Sequence, residues 1–432
     1  MDGDALTVIL ARVSGMSTIR ALRAAPGHTL FEFLGDAVDL AEPGSDVAAE
    51  LVVLPNAAPG RLDKSVRRAE TLNPGLWERA RSADALVVLD ASTEGAEADA
   101  GIVDQIHGVL RAAQVGAGRA IYVTQDRRFA ADYERLCAAE GRRPTFFVLA
   151  YDYWPRALTD SFSEHGAEIF EARLQSFRAR PQRRSRRFLS QNLTPRPSKL
   201  AFLTSVLRDG LWDRGHISFG GLDSRADKGK TAEGVRKGFL EDPHFGAMAQ
   251  ASGPELDRLD AMGEVLLGGG FGSRSAAGRP KFTNDVPLPE YGDCWFSVVT
   301  ETEMRGRPSR ITEKPFKPIA NFHPLLVLGN PGALAFLREL GFQTFPELFD
   351  ETYDEEPDPG RRFDQVYRQF AALCRLDEGE LGRRVSALSE VLEFNARHLM
   401  TRLPRAWKTS IDRPFLASLR ASMERASGAP PS

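Results

Sequence analysis

Residues 309–332, SRITEKPFKPIANFHPLLVLGNPG, set an acid and a base side by side, Glu313 and Lys314. A carboxylate can accept two hydrogen bonds from vicinal hydroxyls such as those of a ribose. An ammonium beside it supplies the positive charge that a phosphate needs, and free amides at a helix start point the same way. The spacing predicts a helix from Thr312, with Thr312 as its N-cap and Glu313 at the first helical position, where the helix dipole favours an anion. Pro315 suits a helix start. A second reading of the same residues is purely structural, with Glu313 capping the helix and Lys314 solvated.

Chemistry on a ligand held in this way would also need a general base. Carboxylates that follow strands are candidates for that base, because burial in a water-poor cleft raises a carboxyl pKa toward the working pH. Four meet the description: Asp90 and Glu94 in VVLDASTEG, Asp126 in YVTQDRR and Asp152 in LAYDYWPRAL. Each is equally readable as a turn former. Tyr151, Tyr153 and Trp154 can stack on a sugar or fill a core. His323 can touch a pyrophosphate or serve as a satisfied core histidine. The acidic run 350–359 reads as a solvated turn or as a place for a cation. No Asp-x-Asp follows a strand, so no metal and no cofactor are expected, and basic side chains with helix amides would do the metal's work.

The elements that must position these residues alternate. Apolar runs at 5–11, 50–55, 85–90, 119–124 and 145–150 read as strands buried on both faces, with helical patterns at 98–114 and 129–141 between some of them. That is the pattern of a parallel sheet flanked by helices. Residues 173–198 carry eight arginines and three prolines, which reads as a solvated linker or as a patch for phosphates. The alternation then resumes: a strand from Phe188, a helix at 199–212, a strand at 216–221, an irregular stretch at 222–290 with a glycine cluster at 266–278, a strand at 294–302, the helix from Thr312, a strand at 325–329 and a helix at 331–341. From about 361 to 425 the pattern is helical. The expected division is an N-terminal Rossmann-like domain over 1–172, a basic linker over 173–187, a second α/β domain over 188–360 and C-terminal helices over 361–432. Two α/β domains in series would face each other across a cleft, with ligands outside the carboxyl ends of strands.

FSVVTETEMRGRPSRITEKPFKPIANFHPLLVLGNPG resembles the donor-binding segment of fucosyltransferase-like glycosyltransferases. In that family a strand ending in Phe-Glu-Asn leads to a Thr-Glu-Lys helix and then to a strand ending in glycine. This chain has Thr300-Glu301-Thr302 at the first place, so only the acid Glu301 agrees, and Ile311-Thr312-Glu313-Lys314 at the second. HPLLVLGNPGALAFLRELGFQTFPELFDETYDE and FLSQNLTPRPSKLAFLTSVLRDGLWDRGHISFGG look like bacterial and phage proteins assigned to sugar transfer. The resemblance covers 186 to 356, about 40% of the chain. It implies a two-domain GT-B architecture, a nucleotide-sugar donor (GDP-linked by the family's habit) and a glycan or glycoconjugate acceptor. By the same resemblance Glu313 binds the ribose and Lys314 the phosphates. An arginine after the second domain's first strand would hold the diphosphate, a place that Arg196 or Lys199 fills; a lysine there departs from the family, since the two side chains are not interchangeable at a bidentate site.

Composition narrows the alternatives. The 432 residues suggest two domains. Fifty-six basic against 59 acidic residues give a formal charge of −3, which argues against a dedicated nucleic-acid partner. Three scattered cysteines without a CxxC pair fit a reducing cytoplasm. No apolar stretch approaches the roughly 20 residues that span a bilayer, which leaves room only for peripheral membrane association. The competing expectation from another class is a non-catalytic sugar-nucleotide or glycan-binding protein.

Overall fold

The computed structural model describes residues 18–427 apart from 46–48, 83, 182, 225, 227–228, 268–288 and 305–309. The chain is α/β, with two parallel sheets of six and four strands. Its residues group into two compact units: those up to Tyr153 together with those from Lys408 onward, and Trp154–Trp407.

The first sheet contains β1 (Ile19–Arg23), β2 (Val38–Ala41), β3 (Leu51–Pro55), β4 (Leu86–Ala91), β5 (Ala120–Thr124) and β6 (Phe147–Ala150) in the order β2-β1-β3-β4-β5-β6. Every pairing is parallel. β3, β4 and β5 are buried at every position, which is why they read as unbroken apolar runs. β1 and β2 were not expected: IRALR and VDLA are short and interrupted by charge. The expected strand at 5–11 lies outside the described residues.

The second sheet contains β7 (Phe188–Asn192), β8 (Gly215–Phe219), β9 (Phe296–Thr300) and β10 (Leu325–Leu328), all parallel, in the order β10-β9-β7-β8. Its core is aromatic. Phe370, from the helix Pro359–Arg375, meets Phe188 edge-on at 4.7 Å and Phe202 at 5.1 Å between centroids, a geometry that adds to plain burial. Because the chain goes from β7 outward to β8 and then returns to β9 on the other side, the strand order reverses between β7 and β9. Ligands of open parallel sheets bind outside the carboxyl ends at such a point. The two strand ends are tied there by the Thr300 hydroxyl, which donates to Asn192 Oδ1 at 2.7 Å in a buried setting. Thr300→Val orphans that acceptor and is expected to lower unfolding stability by ~1–3 kcal/mol, measurable as a shift in urea midpoint.

Several expected elements need correction. Residues 222–290 are not irregular where they are described: Ala232–Leu240, Gly246–Gln250 and Gly253–Met262 are helices. Nearly all of the glycine cluster lies outside the described residues. The basic stretch is only partly a linker, because the helix Gly166–Arg178 runs into it. Beyond that helix, Arg180 Nη2 donates to the Asn321 carbonyl at 2.8 Å and the Arg184 guanidinium lies 4.2 Å from the Trp295 ring centroid. The division near Tyr153 and Trp407 puts the helices from 154 to 178 with the second sheet. The terminal helix Arg413–Ala426 goes with the first. Asp354 is not solvated: both carboxylate oxygens accept from Leu334 and Ala335 amides, 3.0 Å each, at the start of the helix Ala333–Glu339.

Among the described residues, no helix is long and apolar enough to cross a membrane. The three cysteines are buried and unbridged.

Candidate functional site

The residues singled out for a nucleotide converge at the carboxyl ends of β7 and β9. Leaving β7, the chain turns through Arg196 into the helix Pro197–Arg208, whose first turn carries Lys199. Pro197 opens that helix and Arg196 makes no side-chain cap, so the helix presents uncapped first-turn amides beside two cations. Leaving β9, Glu301 is buried and turns back on the 312–314 segment. Its carboxylate accepts from the Thr312 hydroxyl at 2.6 Å and from the Thr312 amide at 3.2 Å. Gly329, at the end of β10, fits against it: a Cβ there would stand 3.0 Å from Glu301 Cγ.

Thr312 is therefore not the helix N-cap. Its oxygen accepts from the Lys314 amide at 3.4 Å and from Lys314 Nζ at 3.0 Å, closing a turn two residues long. The helix begins at Phe316 behind Pro315 and is only five residues, Phe316–Ala320. Glu313 sits in the turn before it, not at the first helical position. The physical reason is Pro315, which disfavours helical backbone at the residue before it and so delays the helix start.

Both residues of the pair point inward. The Glu313 and Lys314 side chains are 18% and 23% exposed, with Lys314 Nζ 3.5 Å from Glu313 Oε1 and 3.7 Å from Glu301 Oε2. Lys314 also donates to the Thr302 hydroxyl at 3.2 Å. Burial pushes the Glu313 carboxyl up, but Lys314 and Lys317 outweigh it and hold it below the ordinary range. Glu313 is thus an ionised acceptor, the form that binds hydroxyls.

Lys199 differs from Lys314. It is 4% exposed, and among the described residues its ammonium has no hydrogen bond and no ion pair. Burial, with Lys314 and Arg196 adding to it against the pull of Glu301 and Glu313, lowers its pKa to about 7. Lys317, whose pKa is likewise lowered by burial, faces Glu313 and Lys314. The cluster of Arg196, Lys199, Lys314 and Lys317 against Glu301 and Glu313 holds four basic groups and two acids. Of the four basic groups Lys199 is the buried one, and buried charge needs a partner. A neighbouring cavity of about 10 Å³, the size of a single water, is lined by Glu301, Thr302, Glu303, Arg310, Thr312 and Asn330, where Arg310 is balanced by Glu303 at 3.5 Å.

His323 does not join the cluster. It is fully buried, with Nδ1 3.0 Å from Ser297 Oγ and Nε2 2.6 Å from the Tyr291 carbonyl. Burial lowers its pKa well below the ordinary value, so it is a neutral core histidine. Thr302 and Lys317 were missed by sequence reasoning. The signal for Lys317 was its spacing three residues after Lys314.

The four candidate bases lie in the other unit and separate by environment. Asp90 is buried and spent: it accepts from the Thr29 hydroxyl at 2.6 Å, the Leu30 amide at 3.1 Å and the Ser92 amide at 3.0 Å. Burial nevertheless raises its pKa. It anchors the loop after β1 and is corrected to a structural role. Asp126 is equally buried and accepts from the Arg128 amide at 3.0 Å, the turn-forming role. Glu94 is half-buried. Asp152 pairs with Arg127 at 2.5 Å and lines a cavity of about 250 Å³ with Tyr151, Ser410, Pro414 and Phe415. Tyr151 donates to Asp412 at 2.8 Å and packs edge-on against Phe415, so its phenol is committed within this unit.

Among the described residues, no group of three or more His, Cys, Asp or Glu side chains is arranged to hold a metal ion. No protein-family model, no curated protein and no solved structure matches this chain.

Proposed function

We propose that this protein is a glycosyltransferase of the two-domain GT-B kind, moving a sugar from a nucleotide-sugar donor to a hydroxyl of a glycan or glycoconjugate. Transfer is inverting and metal-independent, and it serves the assembly of a surface polysaccharide or glycoconjugate in the cytoplasm. The observation that carries this reading is the buried Lys199, without a hydrogen bond or ion pair among the described residues, near Arg196 and Lys314 at the point where the second sheet's strand order reverses. A buried lysine there, next to the part-exposed Lys314, suits an anionic group, and a diphosphate is one. Glu313, ionised and part-exposed beside Lys314, accepts the ribose hydroxyls. Lys314, Lys199, Arg196 and the first amides of the helix Pro197–Arg208 take the phosphates. Glu301 and Thr312 do not touch the donor; they hold Lys314 in place. Of the four acids, Glu94 and Asp152 retain candidacy as acceptor base.

Thermal-shift screening with GDP, UDP, CDP and CMP tests the reading. A ligand that binds only the native state raises its melting point, so at least one diphosphate is expected to raise it and CMP to do less. No shift with any of them removes the nucleotide site. Hydrolysis of nucleotide sugars, undiminished by EDTA, then separates the enzyme from its runner-up, a non-catalytic nucleotide-sugar-binding protein, which binds without turnover.

A further inference from the structure

Lys199 raises a question that the binding reading leaves open: which protonation state meets the ligand. Its neighbours are set by three segments. Arg196 faces it from the start of its own helix, Glu301 from the end of β9, and Glu313 and Lys314 from the turn before Phe316. Lys317, from the helix that follows, faces Glu313 and Lys314. Both acids are already engaged by Lys314. In the free protein, an ammonium at Lys199, a residue 4% exposed, therefore has two cations near it and, among the described residues, no ion pair of its own.

We infer that, in the nucleotide site proposed above and resting on that reading, a proton enters Lys199 together with the diphosphate. The phosphates supply the negative charge that Lys199 lacks. They add negative charge where Lys314 and Arg196 stand against Glu301 and Glu313, and the ammonium becomes the favoured form. Release of the product diphosphate returns the proton to solvent. The free group titrates at about 7, so at pH 8 it is mostly neutral before binding and charged after. The ligand's own terminal phosphate, with a second pKa near 6, gives the opposite signal, since a cationic site strips its residual proton. Net uptake therefore identifies the lysine.

The test is isothermal titration of the full chain with GDP, and with UDP and CDP alongside, at pH 8 in HEPES, Tris and imidazole, whose ionisation enthalpies differ. The wild-type protein is expected to take up more than about half a proton per ligand. Its Kd should rise nearly tenfold per pH unit above about 7, the slope of one linked proton. K199R, whose guanidinium stays charged at all these pH values, is expected to bind with no uptake and with affinity flat from pH 7 to 9. The wild-type arm needs no substitution, so misfolding of a variant does not blunt it. Binding without uptake, or the same uptake in K199R, overturns the proton coupling and leaves the nucleotide site standing. Binding of none of the three nucleotides overturns both.

Discussion

Lys199→Met is expected to weaken diphosphate binding by about 100-fold, roughly 3 kcal/mol, while leaving the free protein at least as stable as the wild type near pH 7. The two effects have one cause. Lys199 is buried near Arg196 and Lys314, and among the described residues it has no ion pair of its own, Glu301 and Glu313 being engaged by Lys314, so in the empty site its charge opposes folding, and methionine keeps the length without the charge. With the phosphates in place the same charge becomes their contact. A lysine retained for packing or for a structural salt bridge would behave the other way, losing stability and leaving binding intact. The pH dependence has a definite sign. The pKa is about 7 in the folded chain against an ordinary 10.5. Between these values the unfolded chain holds a proton that the folded one has released, so this residue makes unfolding free energy rise with pH across that window. The wild-type minus Lys199→Met stability difference, from urea melts at pH 7 through 10, should show that rise. Nucleotide affinity runs the opposite way, falling as the site loses its ammonium.

Glu301→Ala is expected to be the most disruptive single change near the site, costing ~3–5 kcal/mol of stability, the usual penalty for breaking a buried charge pair, and abolishing measurable nucleotide binding. It strips the Thr312 amide and hydroxyl of their acceptor and leaves Lys314 with Glu313 as its one carboxylate. Glu301→Gln keeps the shape and an acceptor for the Thr312 amide, so it should cost less than half as much. A role in holding the segment predicts that both substitutions change affinity in step with the order of residues 310–314, read as amide hydrogen exchange there. Loss of binding in Glu301→Gln with exchange unaltered would place Glu301 in direct contact with the ligand instead.

What could be read from the chain alone follows from what periodicity encodes. β3, β4, β5, β9 and β10 are buried on both faces, and such strands appear as apolar runs whatever surrounds them. β1 and β2 escaped because Arg20, Arg23 and Asp39 interrupt them. The helices between 232 and 262 escaped because glycines and prolines break their pattern, as in Gly253-Pro254, which opens a helix. At the site, Glu313 and Lys314 were legible as a pair, and Arg196 and Lys199 as followers of a strand. Their meeting was not, because it depends on the strand order that sets β7 beside β9. Thr312 was misread because the helix starts later, at Phe316 behind Pro315, and its bond to Glu301, eleven residues away, is invisible to local capping rules. His323 and Asp90 were legible as polar residues near strands; that both are fully committed inside the core is a fact of packing alone.

The most direct measurement is a crystal structure of the protein soaked with a nucleoside diphosphate chosen by the thermal-shift screen. The ribose hydroxyls should lie within hydrogen-bond distance of the Glu313 carboxylate, with the phosphates against Lys199, Lys314 and Arg196 at the carboxyl ends of β7 and β9. Density for the nucleotide elsewhere, with Lys199 still lacking an anion, would contradict the assignment of this cluster.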